Sequence, residues 1–223
     1  IKNPTTGFNM KNKKLIIYDW NGTLLNDIDA CIDSMNVMLE RRNMRLLDTT
    51  TYRKIFTFPV QEYYKSLGFD FLQESFEQLS VEYIDLYKKH SINASLQHGV
   101  FTALEQFKKR GFQQVILSAS EQITLEKQIN QHQLHAYFDA LIGLDNIYAK
   151  SKLDNAVHYI QKTSISIENV LLIGDTYHDY EVARAIGCDC LLVNNGHQDL
   201  SQYHLNSNII FQSLADAIKI TVS

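Results

Sequence analysis

The chain has 223 residues, of which 45% are hydrophobic and 21% charged, and its formal net charge is −4. Those values exclude a disordered chain and allow one sizeable core with a smaller appended unit. The charge gives no reason to expect nucleic acid or an anionic membrane surface as a partner, and no apolar run is long enough to span a bilayer.

Residues 1–9 read as a tag remnant, because Met10-Lys11-Asn12-Lys13 has the look of a natural start. Leu15-Ile16-Ile17-Tyr18 predicts a buried strand that stops at Asp19, followed at once by the Gly22-Thr23 turn. Ile28, Ile32, Met35, Met38 and Leu39 then recur at helical spacing. Two shorter helical segments flank Phe58-Pro59, since proline ends one helix and can open another. Gly68 stops the second of them, and a long amphipathic helix is expected over 71–90. From Ile28 to His90 the pattern is helical throughout.

The pattern changes near Gly99. Val100, Leu104 and Phe107 mark a helix closed by Gly111, and 114–117 reads as a strand ending at Ser118. A helix over 121–132, a short strand over 140–144 and a helix through Leu153, Val157 and Ile160 follow. Val170-Leu171-Leu172-Ile173 is a strongly apolar strand that stops at Gly174-Asp175. A helix through Val182, Ala183 and Ile186 comes next, closed by Gly187, and strands are expected at 190–193 and 208–211. Alternating strands and helices predict an α/β fold, a Rossmann-like doubly wound parallel sheet. The helical block is too long for a simple crossover, so it is expected as an inserted all-helical cap over 27–97. The core then comprises 10–26 and 98–223. Cys31, Cys188 and Cys190 show neither a C-x-x-C pair nor a zinc spacing, which suits reduced thiols in a cytoplasmic protein.

Polar residues recur at one topological place, the carboxyl end of a strand or the loop after it. They are Asp19, Ser118, Lys150 with Lys152, and Asp175 with Asp179. Singly, each has a plain alternative: an aspartate or serine after a strand often caps a helix, and lysines are usually solvated. Together and in this order they resemble the haloacid dehalogenase superfamily of phosphohydrolases. The first motif stands as Asp19-Trp20-Asn21-Gly22-Thr23, the second as Leu117-Ser118, the third as Lys152 or else Lys150. The fourth stands as Gly174-Asp175-Thr176-Tyr177-His178-Asp179. The insert, with Phe58-Pro59-Val60 and Tyr63-Tyr64, is similar to the cap of phosphoglycolate-phosphatase-like members.

The resemblance implies a Mg²⁺-dependent phosphatase acting on a phosphate monoester. Asp19 is then the nucleophile and a metal ligand, with Asp175, Asp179 and the backbone carbonyl of Asn21 completing the metal site. Lys152 is expected to neutralise phosphate oxygens and restrain Asp19. Ser118 and Ala119 would contact the phosphate, as would backbone N–H groups around Trp20 and Asn21. Asn21 departs from the family, which has an aspartate there to protonate the leaving oxygen and activate water, help typically worth ~10²–10⁴ in rate. An amide cannot exchange protons at neutral pH. Either Asn21 is an engineered substitution that traps a complex, or it is native and another group such as His178 or a water chain takes over. In the native case aryl phosphates including phosphotyrosine are favoured, since phenols ionise near pKa 10. A catalytically weak protein that binds phosphorylated ligands is the third reading. The partner is therefore a phosphorylated small molecule or a phosphotyrosine-containing protein, and the chain a monomer or weak homodimer. Tyr52, Arg53 and Lys54 in the cap are candidates to contact a substrate anion, or else form a solvated helix face.

Overall fold

The computed structural model describes residues 10–148 and 152–222. Its central sheet has six strands, all parallel: β1 (Leu15–Tyr18), β4 (Gln113–Glu121), β5 (Ala140–Leu144), β6 (Val170–Gly174), β7 (Asp189–Val193) and β8 (Ile210–Phe211), in the order β5-β4-β1-β6-β7-β8. The missing labels belong to β2 (Leu25–Asn26) and β3 (Ser95–Leu96), a separate antiparallel pair. The core helices are α5 (Val100–Lys109), α6 (Gln122–Gln131), α7 (Leu153–Lys162), α8 (Tyr177–Ile186) and α9 (Leu214–Val222).

Side chains of a strand alternate between the two faces of a sheet, and here each face has its own core. Ile16, Tyr18, Leu171, Ile173, Leu191 and Val193 pack on one face with Leu104 and Phe107 of α5 and Leu125 and Ile129 of α6. Leu15, Ile17, Val170, Leu172 and Leu192 pack on the other with Ala156 of α7 and Val182 and Ala183 of α8. The sheet is covered on both sides, which is why its central strands β1 and β6 are apolar throughout.

A third cluster lies in the insert. Its helices are α1 (Ile28–Arg41), α2 (Thr49–Ile55), α3 (Val60–Leu67) and α4 (Phe76–His90), and they bury Met35, Met38, Tyr52, Tyr64 and Leu79 together. The chain leaves the core along β2 and returns along β3, so that short ladder is the neck of an all-helical cap. Among the described residues no helix is long and apolar enough to cross a membrane.

Besides the two-residue strands β2 and β3, which were not expected, four elements differ from expectation. α4 begins at Phe76 rather than near 71, because Ser75 and Gln78 form a reciprocal capping box. β4 runs on to Glu121, with a register shift against β5 after Leu117. The last strand shrinks to two residues, since the Asn206 side chain caps a single 3₁₀ turn at Ser207–Ile209. α9 closes the chain where no element was expected. Residues 1–9 and Lys150 lie outside the described residues.

Candidate active site

Strand register assembles the site. Tyr18 of β1 lies level with Ile116 of β4 and Ile173 of β6. Asp19, Leu117 and Gly174 therefore come next, side by side, and Ser118 and Asp175 follow one residue on. In open α/β sheets this carboxyl edge is where ligands bind. Lys152 arrives from the start of α7 and Asp179 from the first turn of α8.

The buried Lys152 ammonium lies between two carboxylates. It is hydrogen-bonded to Asp19 Oδ1, stands 2.7 Å from Asp179 Oδ1, and donates to the Leu117 carbonyl at 3.0 Å. Asp175 accepts from the Thr23 hydroxyl at 2.7 Å and from the His197 backbone N–H at 2.6 Å. Asp179 Oδ2 accepts from the Thr176 N–H and hydroxyl at 2.9 and 2.7 Å. Two glycines make room for Asp175: a Cβ on Gly196 would lie 2.1 Å from its Oδ2, and one on Gly22, whose φ is +74°, 2.3 Å. No other residue type fits at either position.

Three buried carboxylates face one ammonium. Burial pushes the Asp19 carboxyl up to about 8; Lys152 opposes this, while Asp179 and Asp175 add to it. Asp175 is pushed up to about 6, again chiefly by burial, with His197 opposing and Asp179 adding. Burial would also raise Asp179, but Lys152 and the Thr176 hydrogen bonds outweigh it and hold this carboxyl below its ordinary value. Burial disfavours the Lys152 charge, yet Asp179 and Asp19 together raise its pKa above that of an ordinary lysine. The excess negative charge is what a cation would relieve. Asp19, Asp175 and Asp179 each offer an oxygen, all within 4.8 Å of one another. An all-oxygen set of this kind suits a hard divalent ion.

Asn21 is held by three partners. Its amide donates to Asp27 Oδ2 and to the Tyr87 hydroxyl, both at 2.7 Å, and accepts from the Ser120 hydroxyl at 2.6 Å. Asp27 is itself buried, accepting from Tyr87 at 2.7 Å and the Gly22 N–H at 3.0 Å, and pairs with His197 Nε2 at 3.2 Å. Burial works against both charges of this pair. Even so, Asp27 brings the His197 imidazole up to about 9, and His197 holds the Asp27 carboxyl below its ordinary value. Above them lies a cavity between cap and core, partly open to solvent. Asp19, Asn21, Ala119, Ser120 and Lys152 line its floor and α2–α4 its walls.

Asp19, Lys152, Asp175 and Asp179 thus meet in one cluster, and Ser118 stands on the adjacent strand, its Oγ accepting from the Ser120 N–H at 3.0 Å. The Trp20 ring is turned into the core, where its N–H donates to Gln128 at 2.8 Å, so only its backbone is left for a ligand. The expectation for Arg53 is overturned. Its guanidinium donates to the carbonyls of Asn194 at 2.6 Å and Gln198 at 3.0 Å, latching the cap to a core loop. Lys54 is exposed and does not line the cavity, whereas Tyr52 does, its hydroxyl 2.8 Å from His197 Nδ1.

Asp27, His197, Tyr87 and Ser120 escaped the sequence reading, and Thr23 entered it only as a motif residue with no role assigned. Asp27 has the local signature of a helix N-cap, yet it makes no side-chain cap bond to α1. Gly196-His197 had a usable signal, a glycine loop after β7 at the active edge.

A family model described as haloacid dehalogenase-like hydrolase matches residues 16–193. A phosphoglycolate phosphatase of Nitrosospira multiformis is 24% identical over 216 residues, covering 93% of this chain and 95% of that protein. The solved haloacid dehalogenase-like hydrolase SP0104 of Streptococcus pneumoniae superposes with a TM-score of 0.77 at 21% identity, over 93% of this chain and 98% of that one. Protein tyrosine kinase A of Mycobacterium tuberculosis gives 0.78 at 17% identity, over 96% and 100%. At such identities the structural likeness is one of fold.

Proposed function

Since the chain belongs to the haloacid dehalogenase-like hydrolases, we propose that it is a Mg²⁺-dependent phosphatase that cleaves a phosphate monoester through an aspartyl-phosphate on Asp19. The observation that carries this reading is the Lys152 ammonium held between Asp19 and Asp179, with Asp175 beside them. Asp19, Asp175, Asp179 and the Asn21 backbone carbonyl would hold the cation. When bound, it screens the repulsion between an anionic nucleophile and an anionic ester.

The protein groups then have separate tasks. Lys152 aims one Asp19 oxygen and leaves the other to attack phosphorus in line. The new O–P bond forms as the ester P–O bond breaks, and the electron pair leaves on the substrate oxygen. Water then attacks phosphorus and releases phosphate and the Asp19 carboxylate. The Ser118 hydroxyl, which uses a lone pair on Ser120, keeps its proton to donate to a phosphate oxygen. Backbone N–H groups of Trp20, Asn21 and Ala119 complete the phosphate cradle. The cap excludes water and selects the leaving group. Three free cysteines among the described residues suit a reducing compartment and support a cytoplasmic location.

Phosphate release from p-nitrophenyl phosphate tests the assignment. Turnover is expected with Mg²⁺ and is lost on adding EDTA or in Asp19→Asn. Turnover surviving in Asp19→Asn overturns the nucleophile, and phosphorylated ligands bound without any turnover would make this a binding protein instead.

A further inference from the structure

Resting on that phosphatase reading, we infer that the substrate is a small aryl phosphate, its uncharged ring seated in the cap cavity and its phosphate on Asp19. The cavity wall is built for a ring. Eight of its lining side chains are aromatic, among them Phe56, Phe58, Tyr63 and Tyr83. They already pack edge-to-face, as Phe56 does with Phe58 and Tyr63 at 5.5 and 5.3 Å between centroids. Such walls stabilise a further ring by area and by quadrupole geometry.

The same wall is poor for an anionic leaving group. Among the described lining residues Lys152 is the single lysine or arginine, and Asp19 and Asp179 engage it. His197 is taken by Asp27, and the His178 ring stacks on Phe58 at 4.8 Å between centroids with its Nδ1 3.6 Å from Glu181. The Asp27 charge is offset by His197, and Glu121, 3.7 Å from Lys88, is a further carboxylate of the lining. A carboxylate such as that of 2-phosphoglycolate would enter with no cation to meet it, at the cost of burying an unpaired charge. A neutral polar substituent is better served: the Tyr63 hydroxyl and His178 Nε2 are buried without a hydrogen-bond partner, and both side chains line the cavity.

Leaving-group chemistry points the same way. The Asn21 amide is tied to Asp27, Tyr87 and Ser120 and has no proton to give a departing oxygen. A phenolate, with a parent pKa near 10, leaves without that help far more readily than an alkoxide. The cap is also latched at Arg53, which holds its aromatic wall over the site, and a free molecule suits that narrowed space better than a residue within a folded protein.

Two measurements on the intact chain with Mg²⁺ test this. With phenyl phosphate, kcat/KM is expected to exceed that with 2-phosphoglycolate by about 10²-fold, the size of the missing acid assistance. Calorimetric titration of two non-hydrolysable anions removes the leaving-group effect. Phenylphosphonate is expected to bind roughly tenfold or more tighter than phosphonoacetate, from burial of its ring. Equal or better turnover of 2-phosphoglycolate, or equal or tighter binding of phosphonoacetate, overturns the inference and leaves the phosphatase standing. A phosphotyrosine peptide that outperforms phenyl phosphate overturns the small-molecule assignment. No hydrolysis of any monoester, with phenylphosphonate still bound preferentially, overturns the phosphatase and spares the ring site.

Discussion

Asn21→Asp would recreate the family's usual pair of aspartates, and the structure predicts that this damages the fold. The Asn21 amide nitrogen is 2.7 Å from Asp27 Oδ2 and donates to it. A carboxylate in its place would set two negative charges at that distance, a repulsion of about 6 kcal/mol at an effective dielectric near 20. The folded protein escapes by keeping a proton on the pair, which limits the cost. Holding an aspartate of ordinary pKa near 3.9 protonated costs about 1.4 kcal/mol per pH unit above that value, hence ~5 kcal/mol at pH 7.5 and ~1.5 kcal/mol at pH 5. The sign follows from the raised folded-state pKa: the penalty is absent below the unfolded value and grows as pH rises. Urea unfolding of Asn21→Asp and the parent at both pH values measures it. The exchange Asn21→Asp with Asp27→Asn returns an amide opposite a carboxylate and is expected to recover most of the loss. If Asn21→Asp is within about 1 kcal/mol of the parent at pH 7.5, Asn21 is not the partner that Asp27 depends on.

Two further outcomes follow from the titrating groups. Burial raises Asp19 to about 8 and Asp175 to about 6, so the metal-free protein loses stability as pH climbs through those values. Mg²⁺ at a hundredfold excess over its Kd is expected to raise Tm by roughly 5–10 °C at pH 8 and by less at pH 5.5; a Tm that Mg²⁺ leaves unmoved at pH 8 counts against this ligand set. His197→Gln leaves the buried Asp27 charge unpaired and should cost about 3–5 kcal/mol at pH 6. The His197 pKa is raised to about 9, so its contribution is full below about 6.5 and fades as pH approaches 9. A cost that does not shrink between pH 6 and pH 9.5 means the imidazolium is not what holds Asp27.

Much of this was readable along the chain. Runs such as Val170-Leu171-Leu172-Ile173 are buried on both faces, and burial is written locally as continuous apolarity. The carboxylates Asp19 and Asp175 were visible because each ends such a run, and Lys152 because it precedes a helix. Two-residue strands like β2 and β3 carry no periodic signal, and neither does an N-cap position that fails to cap, as at Asp27. Arg53 has the sequence context of a substrate-facing cation, yet it latches onto carbonyls more than 140 residues away. Composition and periodicity determined the alternating core, the helical insert and the order of the acidic motifs, since those depend on neighbours within a turn or a strand. Only the tertiary structure decided what Asn21 touches, where His197 arrives and that the cavity wall is aromatic. Those contacts depend on the register of parallel strands and on the seating of the cap over their carboxyl edge, and neither is a local property of the chain.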